Sequence, residues 1–69
     1  MKSELVEKAY LVIPDAPLLI NAVSKRVRQL HQGRPPLVEK RGLMREADVA
    51  LQEIIEGKIK VVFDEIVEA

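Results

Sequence analysis

Apolar positions recur at helical spacing in three stretches of this chain. The first holds Leu5, Val6, Ala9, Tyr10 and Ile13, which predicts a helix over residues 3–13 with Ser3 as its N-cap. Pro14 ends it, because the proline ring clashes with the preceding turn and pushes Ile13 towards extended backbone. Asp15 then offers a carboxylate to cap a second helix over 16–31, with Ala16 and Pro17 in its first turn. Leu19, Val23, Val27 and Leu30 form one stripe on it, widened by Ile20 and Ala22. Lys25, Arg28 and Gln32 lie on another face with Arg26 at its border, and Gly33 suits a left-handed C-cap. Residues 33–44 read as an extended loop, with Pro35 and Pro36 followed by the apolar pair Leu37 and Val38 and a turn at Gly42. A third helix is predicted over 46–56 from Ala47, Ala50, Leu51, Ile54 and Ile55, with Glu46 and Asp48 in its first turn and Gly57 at its end. In the tail, residues 58–62 alternate as a strand would, whereas Ile59, Phe63 and Ile66 keep helical spacing. We read the tail as helical beyond Val62. The expected fold is all-α: a compact three-helix unit with an extended Pro-containing loop and a short C-terminal tail. It forms a single domain over residues 1–69, with its core at 16–59 and its tail at 60–69.

Composition sharpens this picture. Hydrophobic residues make up 48% of the 69, too many for a disordered segment, and aromatics are 3%, so the core is aliphatic. A chain this short buries only roughly 60% of its unfolded surface, and small domains gain stability from disulfides, metals or partners. Cysteine is absent, which removes disulfides and thiolate zinc sites together. A partner surface is the remaining source of stability. No apolar run nears the ~20 residues that cross a bilayer, and no signal peptide is visible, so a cytoplasmic location is expected. Formal net charge is zero, which weighs against an independent nucleic-acid binder. Between Ala16 and Val38 the charged residues are Lys25, Arg26, Arg28 and Arg34, whereas residues 39–69 carry eight acids and five bases.

Catalytic chemistry finds little footing. Ser3 and Ser24 are the only serines, threonine is absent and His31 is the single histidine, so a nucleophile with its base and orienter cannot be assembled. Asp64 with Glu65, and Glu53 with Glu56, read as ordinary solvated acid pairs. The glycines are scattered and make no phosphate-binding loop. His31 near a helix C-terminus reads as a surface or capping residue without a second ligand. No catalytic, cofactor-binding or metal-binding residue is expected. The cluster Lys25, Arg26 and Arg28 allows three readings: a DNA-recognition helix, guanidinium contacts to a protein partner, or a solvated face. Residue chemistry leaves all three open.

Three stretches in order resemble one known family. LLINAVSKRVRQL (residues 18–30), with its K-R-x-R-Q-L core, resembles the signature helix of the bacterial RNA polymerase omega subunit. GRPPLVE (33–39) is similar to that family's loop, and ADVALQEIIEGKI (47–59) to its A-L-x-E-I-x-E-G-K-I helix end. The resemblance implies a compact, non-catalytic helical subunit, related to a small shared subunit of the eukaryotic polymerases. It implies binding to the β′ subunit and assistance to β′ folding and assembly, within a core enzyme of two α, β, β′ and omega on the nucleoid. It implies no cofactor and no direct sequence-specific contact with nucleic acid. Carried over by position, the partner surface would be Lys25, Arg26, Arg28, Gln29 and Leu30, then Pro36, Leu37 and Val38, then Ala50, Leu51, Glu53, Ile54, Glu56 and Gly57. A latch of this kind needs an exposed apolar strip, for which the Ala47/Ala50 stripe and the Leu37–Val38 pair are suited. The family's Met-Ala-Arg-Val start, which contributes to an alarmone pocket, is replaced here by Met1-Lys2-Ser3-Glu4, and the expectation is a minimal member lacking the long C-terminal extension of some relatives. A free-standing helical DNA-binding or transcription-regulating module is the alternative, with an unrelated small adaptor behind it.

Overall fold

Three helices and a terminal hairpin follow one another in a computed structural model that describes residues 2–69. Helix α1 spans Ser3–Val12, α2 Ala16–His31 and α3 Glu46–Ile55; strands β1, Ile59–Val62, and β2, Glu65–Glu68, pair antiparallel. Three apolar helix stripes converge on one core. Ala9 from α1, Leu19, Ala22 and Val23 from α2, and Ala50, Leu51 and Ile54 from α3 are all buried there. The small residues Ala9, Ala22 and Ala50 leave room for the helix backbones to approach.

The helix ends follow from local chemistry. Asp15 caps α2 by accepting from the Leu18 N–H at 3.1 Å, and Pro17 sits in the first turn, as the sequence predicts. Both longer-range stops are Schellman turns. At the end of α2 the Gly33 and Arg34 amides donate to the Leu30 and Gln29 carbonyls at 3.2 Å each. At the end of α3 the Gly57 and Lys58 amides donate to Ile54 and Glu53, at 3.1 and 2.9 Å. Gly57 adopts φ +72° in this turn, a left-handed conformation that a Cβ disfavours. Residues 33–44 carry no helix or strand, as expected, and Leu37 packs against the core.

Two expectations are corrected. Ser3 is not a cap: the N-cap of α1 is Lys2, and no side chain caps it. Instead the Lys2 N–H donates to the buried Asp48 carboxylate at 3.1 Å, which also accepts from the Arg45 N–H at 3.4 Å. One acid thus ties the starts of α1 and α3 together. The tail is a hairpin and not a helix, so the fold is mainly helical with a two-stranded sheet instead of all-α. Phe63 and Asp64 both take positive φ, at 48° and 64°, and form the two-residue turn that matches strand twist. A helical tail would have buried Phe63 in the stripe with Ile59 and Ile66; it is 97% exposed at the hairpin tip. Ile59 and Ile66 reach the core from one face of the sheet, at the period of a strand.

Candidate partner-binding surface

Glu53 lies at the centre of the three stretches singled out in the sequence. It is not half of a solvated pair with Glu56, as the sequence suggests, but sits on the buried face of α3, its side chain wholly inaccessible, and such a carboxylate demands a paired charge and satisfied lone pairs. Arg26 of α2, equally inaccessible, supplies both. Its Nε donates to Glu53 Oε1 and its Nη2 to Oε2, each at 2.8 Å, in the forked geometry that a guanidinium gives a carboxylate. The Leu37 N–H of the loop donates to Oε2 at 2.9 Å. Helix α2, helix α3 and the Pro-containing loop therefore meet at one carboxylate.

The network extends outward from Arg26. Its Nη1 donates to Gln29 Oε1 at 3.0 Å and lies 3.6 Å from Glu68 of β2, which also approaches Arg34 at 3.8 Å. Hydrogen bonding to Glu53 raises the Arg26 pKa; burial opposes this, and the charges of Glu53 and Glu68 add to it. The guanidinium is a permanent cation. No buried side-chain nitrogen or oxygen among the described residues is left without a partner. Toward the hairpin, the Lys25 ammonium donates to the Asp64 carbonyl and the Gln29 amide to the Ile66 carbonyl at 3.5 Å.

This geometry sorts the fourteen residues assigned to a partner surface. Arg26, Ala50, Leu51, Glu53 and Ile54 are buried within the chain itself. Lys25, Gln29, Leu30, Leu37 and Val38 are half-buried, and Arg28, Pro36, Glu56 and Gly57 are exposed. Leu37, Val38 and Glu56 line a cleft of about 380 Å³ that Met44 and Gln52 complete. Leu30 and Pro36 belong to a smaller one of about 190 Å³. Ala47 lines a third, apolar cleft of about 400 Å³ with Val6, Ile20, Val23, Val27 and Leu51. Of the basic cluster, Arg26 is enclosed and Lys25 is engaged at the hairpin. Arg28 is exposed and makes no ion pair among the described residues. Of the three, Arg28 is thus the one left outward and without an ion pair among the described residues, whereas phosphate binding draws on several such cations.

Glu68 and Arg34, which complete the charge network, were not singled out in the sequence. Glu68 gains its role from the hairpin, and the tail's ambiguous period gave no signal for it. His31 lies at the surface, 3.5 Å from Glu46. The backbone N–H of Glu46 lowers its own carboxyl pKa, partial burial opposes this, and His31 and Lys40 add small lowering contributions. Among the described residues no group of three or more His, Asp or Glu side chains is placed to hold a metal ion, and no helix is long and apolar enough to cross a membrane.

Comparison with known proteins gives a consistent result. The model of the RNA polymerase Rpb6 family matches residues 18–61. The DNA-directed RNA polymerase subunit omega of Geobacter sp. strain M21 is 48% identical over 42 residues, which cover 61% of this chain and 62% of that protein. The omega subunit of Geobacter metallireducens is 40% identical over 42 residues, 61% of each chain. The chain thus spans about three fifths of the curated relatives it matches. No solved structure matches it significantly.

Proposed function

The chain belongs to the RNA polymerase Rpb6 family, and from that premise we propose that it acts as an omega-type subunit of bacterial RNA polymerase, binding β′ and promoting its folding and assembly. The observation that carries this reading is the convergence on Glu53. The K-R-x-R-Q-L helix, the P-L-V loop and the A-L-x-E-I-x-E-G-K-I helix end are held as one body by Arg26 and the Leu37 amide. A latch must be rigid before it grips, because ordering a loose surface on binding subtracts from affinity.

In this reading the fourteen residues divide by task. Arg26, Glu53, Ala50, Leu51 and Ile54 build the scaffold. Arg28, Lys25, Gln29, Leu30, Pro36, Leu37, Val38, Glu56 and Gly57 present the contact surface to β′, within a core of two α, β, β′ and omega. The subunit takes no part in nucleotidyl transfer. It acts by linkage: preferential binding to folded β′ draws that subunit out of its unfolded or aggregating states.

The test is purification of a tagged chain from its native host, with mass spectrometry of what accompanies it. Stoichiometric β′, β and α support the reading. Their absence, with nucleic acid or an unrelated protein in their place, refutes it.

A further inference from the structure

The two edges of the hairpin are treated differently. The register pairs Ile59 with Glu68, Lys60 with Val67, Val61 with Ile66 and Val62 with Glu65. A two-residue loop makes its flanking pair, Val62 and Glu65, a hydrogen-bonded one. Alternation then makes Lys60–Val67 hydrogen-bonded too, and turns the backbone groups of Ile59, Val61, Ile66 and Glu68 outward. The Ala69 N–H bond to the Lys58 carbonyl, at 2.8 Å, continues the same alternation. On β2 the outward Ile66 carbonyl is taken by Gln29, with Lys25 at the neighbouring Asp64 carbonyl, so α2 covers that edge. On β1, among the described residues, no turn, loop or side-chain hydrogen bond reaches the N–H or C=O of Ile59 or Val61. Beside this edge runs a groove of about 470 Å³, lined by Ile13, Leu18 and Ile54 along with β1 itself.

We propose that the outer edge of β1 accepts an extended strand from a protein partner, one that alternates apolar and acidic residues. Four outward backbone groups at strand spacing are complemented by another extended backbone, the mode of β-strand addition. Residues of the added strand that face the core side meet the apolar groove. Those on the opposite side lie beside Lys58 and Lys60, both exposed and without an ion pair among the described residues. The one carboxylate in the groove, Asp15, is already engaged as the cap of α2. A second copy of this chain fits poorly. Symmetric antiparallel pairing over Ile59–Val61 sets Lys60 against Lys60 of the other copy, and like charges directly opposite are destabilising. The inference goes beyond the partner reading above, which assigns nothing to β1.

The test is an NMR titration of the isotopically labelled full chain with a blocked hexapeptide alternating valine and glutamate. The expected result is saturable binding that slows hydrogen exchange at the Ile59 and Val61 amides and leaves the ladder amides of Lys60 and Val62 little changed. Val61→Pro removes one outward N–H without touching the ladder and is expected to weaken binding about tenfold or more. Lys58→Glu with Lys60→Glu keeps the backbone edge and should transfer the preference to a valine–lysine peptide, which keeps the test decisive if Val61→Pro does not fold. The inference is overturned by no binding at millimolar peptide, or by binding that leaves the Ile59 and Val61 amides unprotected. It is equally overturned by equal affinity for the two peptides in the unmodified chain, or by sedimentation showing that β1 pairs with a second copy.

Discussion

Replacing Arg26 by methionine keeps the aliphatic stem in the core and removes the guanidinium. Glu53 then loses two donors at 2.8 Å and keeps the Leu37 N–H at 2.9 Å, inside a site with no solvent access. Removing one member of a buried pair costs about 3–5 kcal/mol, chiefly because the other charge is left uncompensated. At ~0.05–0.15 kcal/mol per residue, a chain of this length has a total stability of only roughly 3–10 kcal/mol. Arg26→Met should therefore remove from about a third to all of the stability of the isolated chain. Adding Glu53→Gln to that variant takes away the stranded charge while keeping an oxygen for the Leu37 amide, and should restore about 2 kcal/mol. Urea unfolding followed by far-UV circular dichroism measures both variants, in a stabilising osmolyte if the single variant is too weak to fold unaided. A loss below about 1 kcal/mol, the range of a solvated surface pair, would refute the brace. So would a double variant no more stable than Arg26→Met.

Three further outcomes follow from the same geometry. Desolvation pushes the Asp48 carboxyl up, but the Lys2 and Arg45 amides outweigh it and hold the folded pKa below the usual aspartate value. Its stabilisation is thus complete above the unfolded pKa of about 3.9 and disappears as pH falls through the lower folded value. Asp48→Asn should cost about 1 kcal/mol near neutrality and flatten the acid limb of a pH–melting curve; unchanged acid slopes in the variant would contradict the assignment. Arg28→Glu should leave melting within about 0.5 kcal/mol of the unmodified chain, because Arg28 is exposed and makes no ion pair among the described residues, yet weaken association with β′ in a pull-down. Loss of helix content would make Arg28 a fold residue instead. Phe63→Asn with Asp64→Gly should stabilise the chain by about 1 kcal/mol, since both positions are left-handed and Phe63 contributes almost no burial. A neutral or destabilising result in urea unfolding would mean that the exposed phenyl ring stabilises the fold in some other way.

Much of the helical architecture was legible because local chemistry decides it. Asp15, Pro17 and Gly33 bound α2 whatever surrounds it, and the four-residue stripe of Leu19, Val23, Val27 and Leu30 is spaced for one face. The tail was misread because residues 58–62 alternate while Ile59, Phe63 and Ile66 also fit a helix, and the deciding factor is tertiary. Gly57 turns the chain out of α3, after which Ile59 and Ile66 reach the core as paired strands. The charged residues were legible as a cluster but not by direction. Arg26 sits at the border of the polar face of α2, where a small rotation decides between solvent and interior. It points inward because Glu53, twenty-seven positions later, waits there.

A buried ion pair is a weak contributor to net stability, and apolar residues of the same volume are often as good or better. Its value here lies in direction. An apolar pair would fill the space between α2 and α3 without specifying where the loop rests. Glu53 fixes that point by accepting from the Leu37 amide, which places Pro36 and Val38 on the surface beside Leu30 and Glu56. Arg26 reaches the other way, to Glu68, and sets the hairpin against α2. The residues that carry the family resemblance therefore divide into two groups by geometry. Arg26 and Glu53 act through the positions of others, while Arg28, Pro36 and Glu56 are among the exposed residues of the proposed contact surface. Substitutions in the first group should abolish association together with the fold. Substitutions in the second should weaken it while leaving the fold intact.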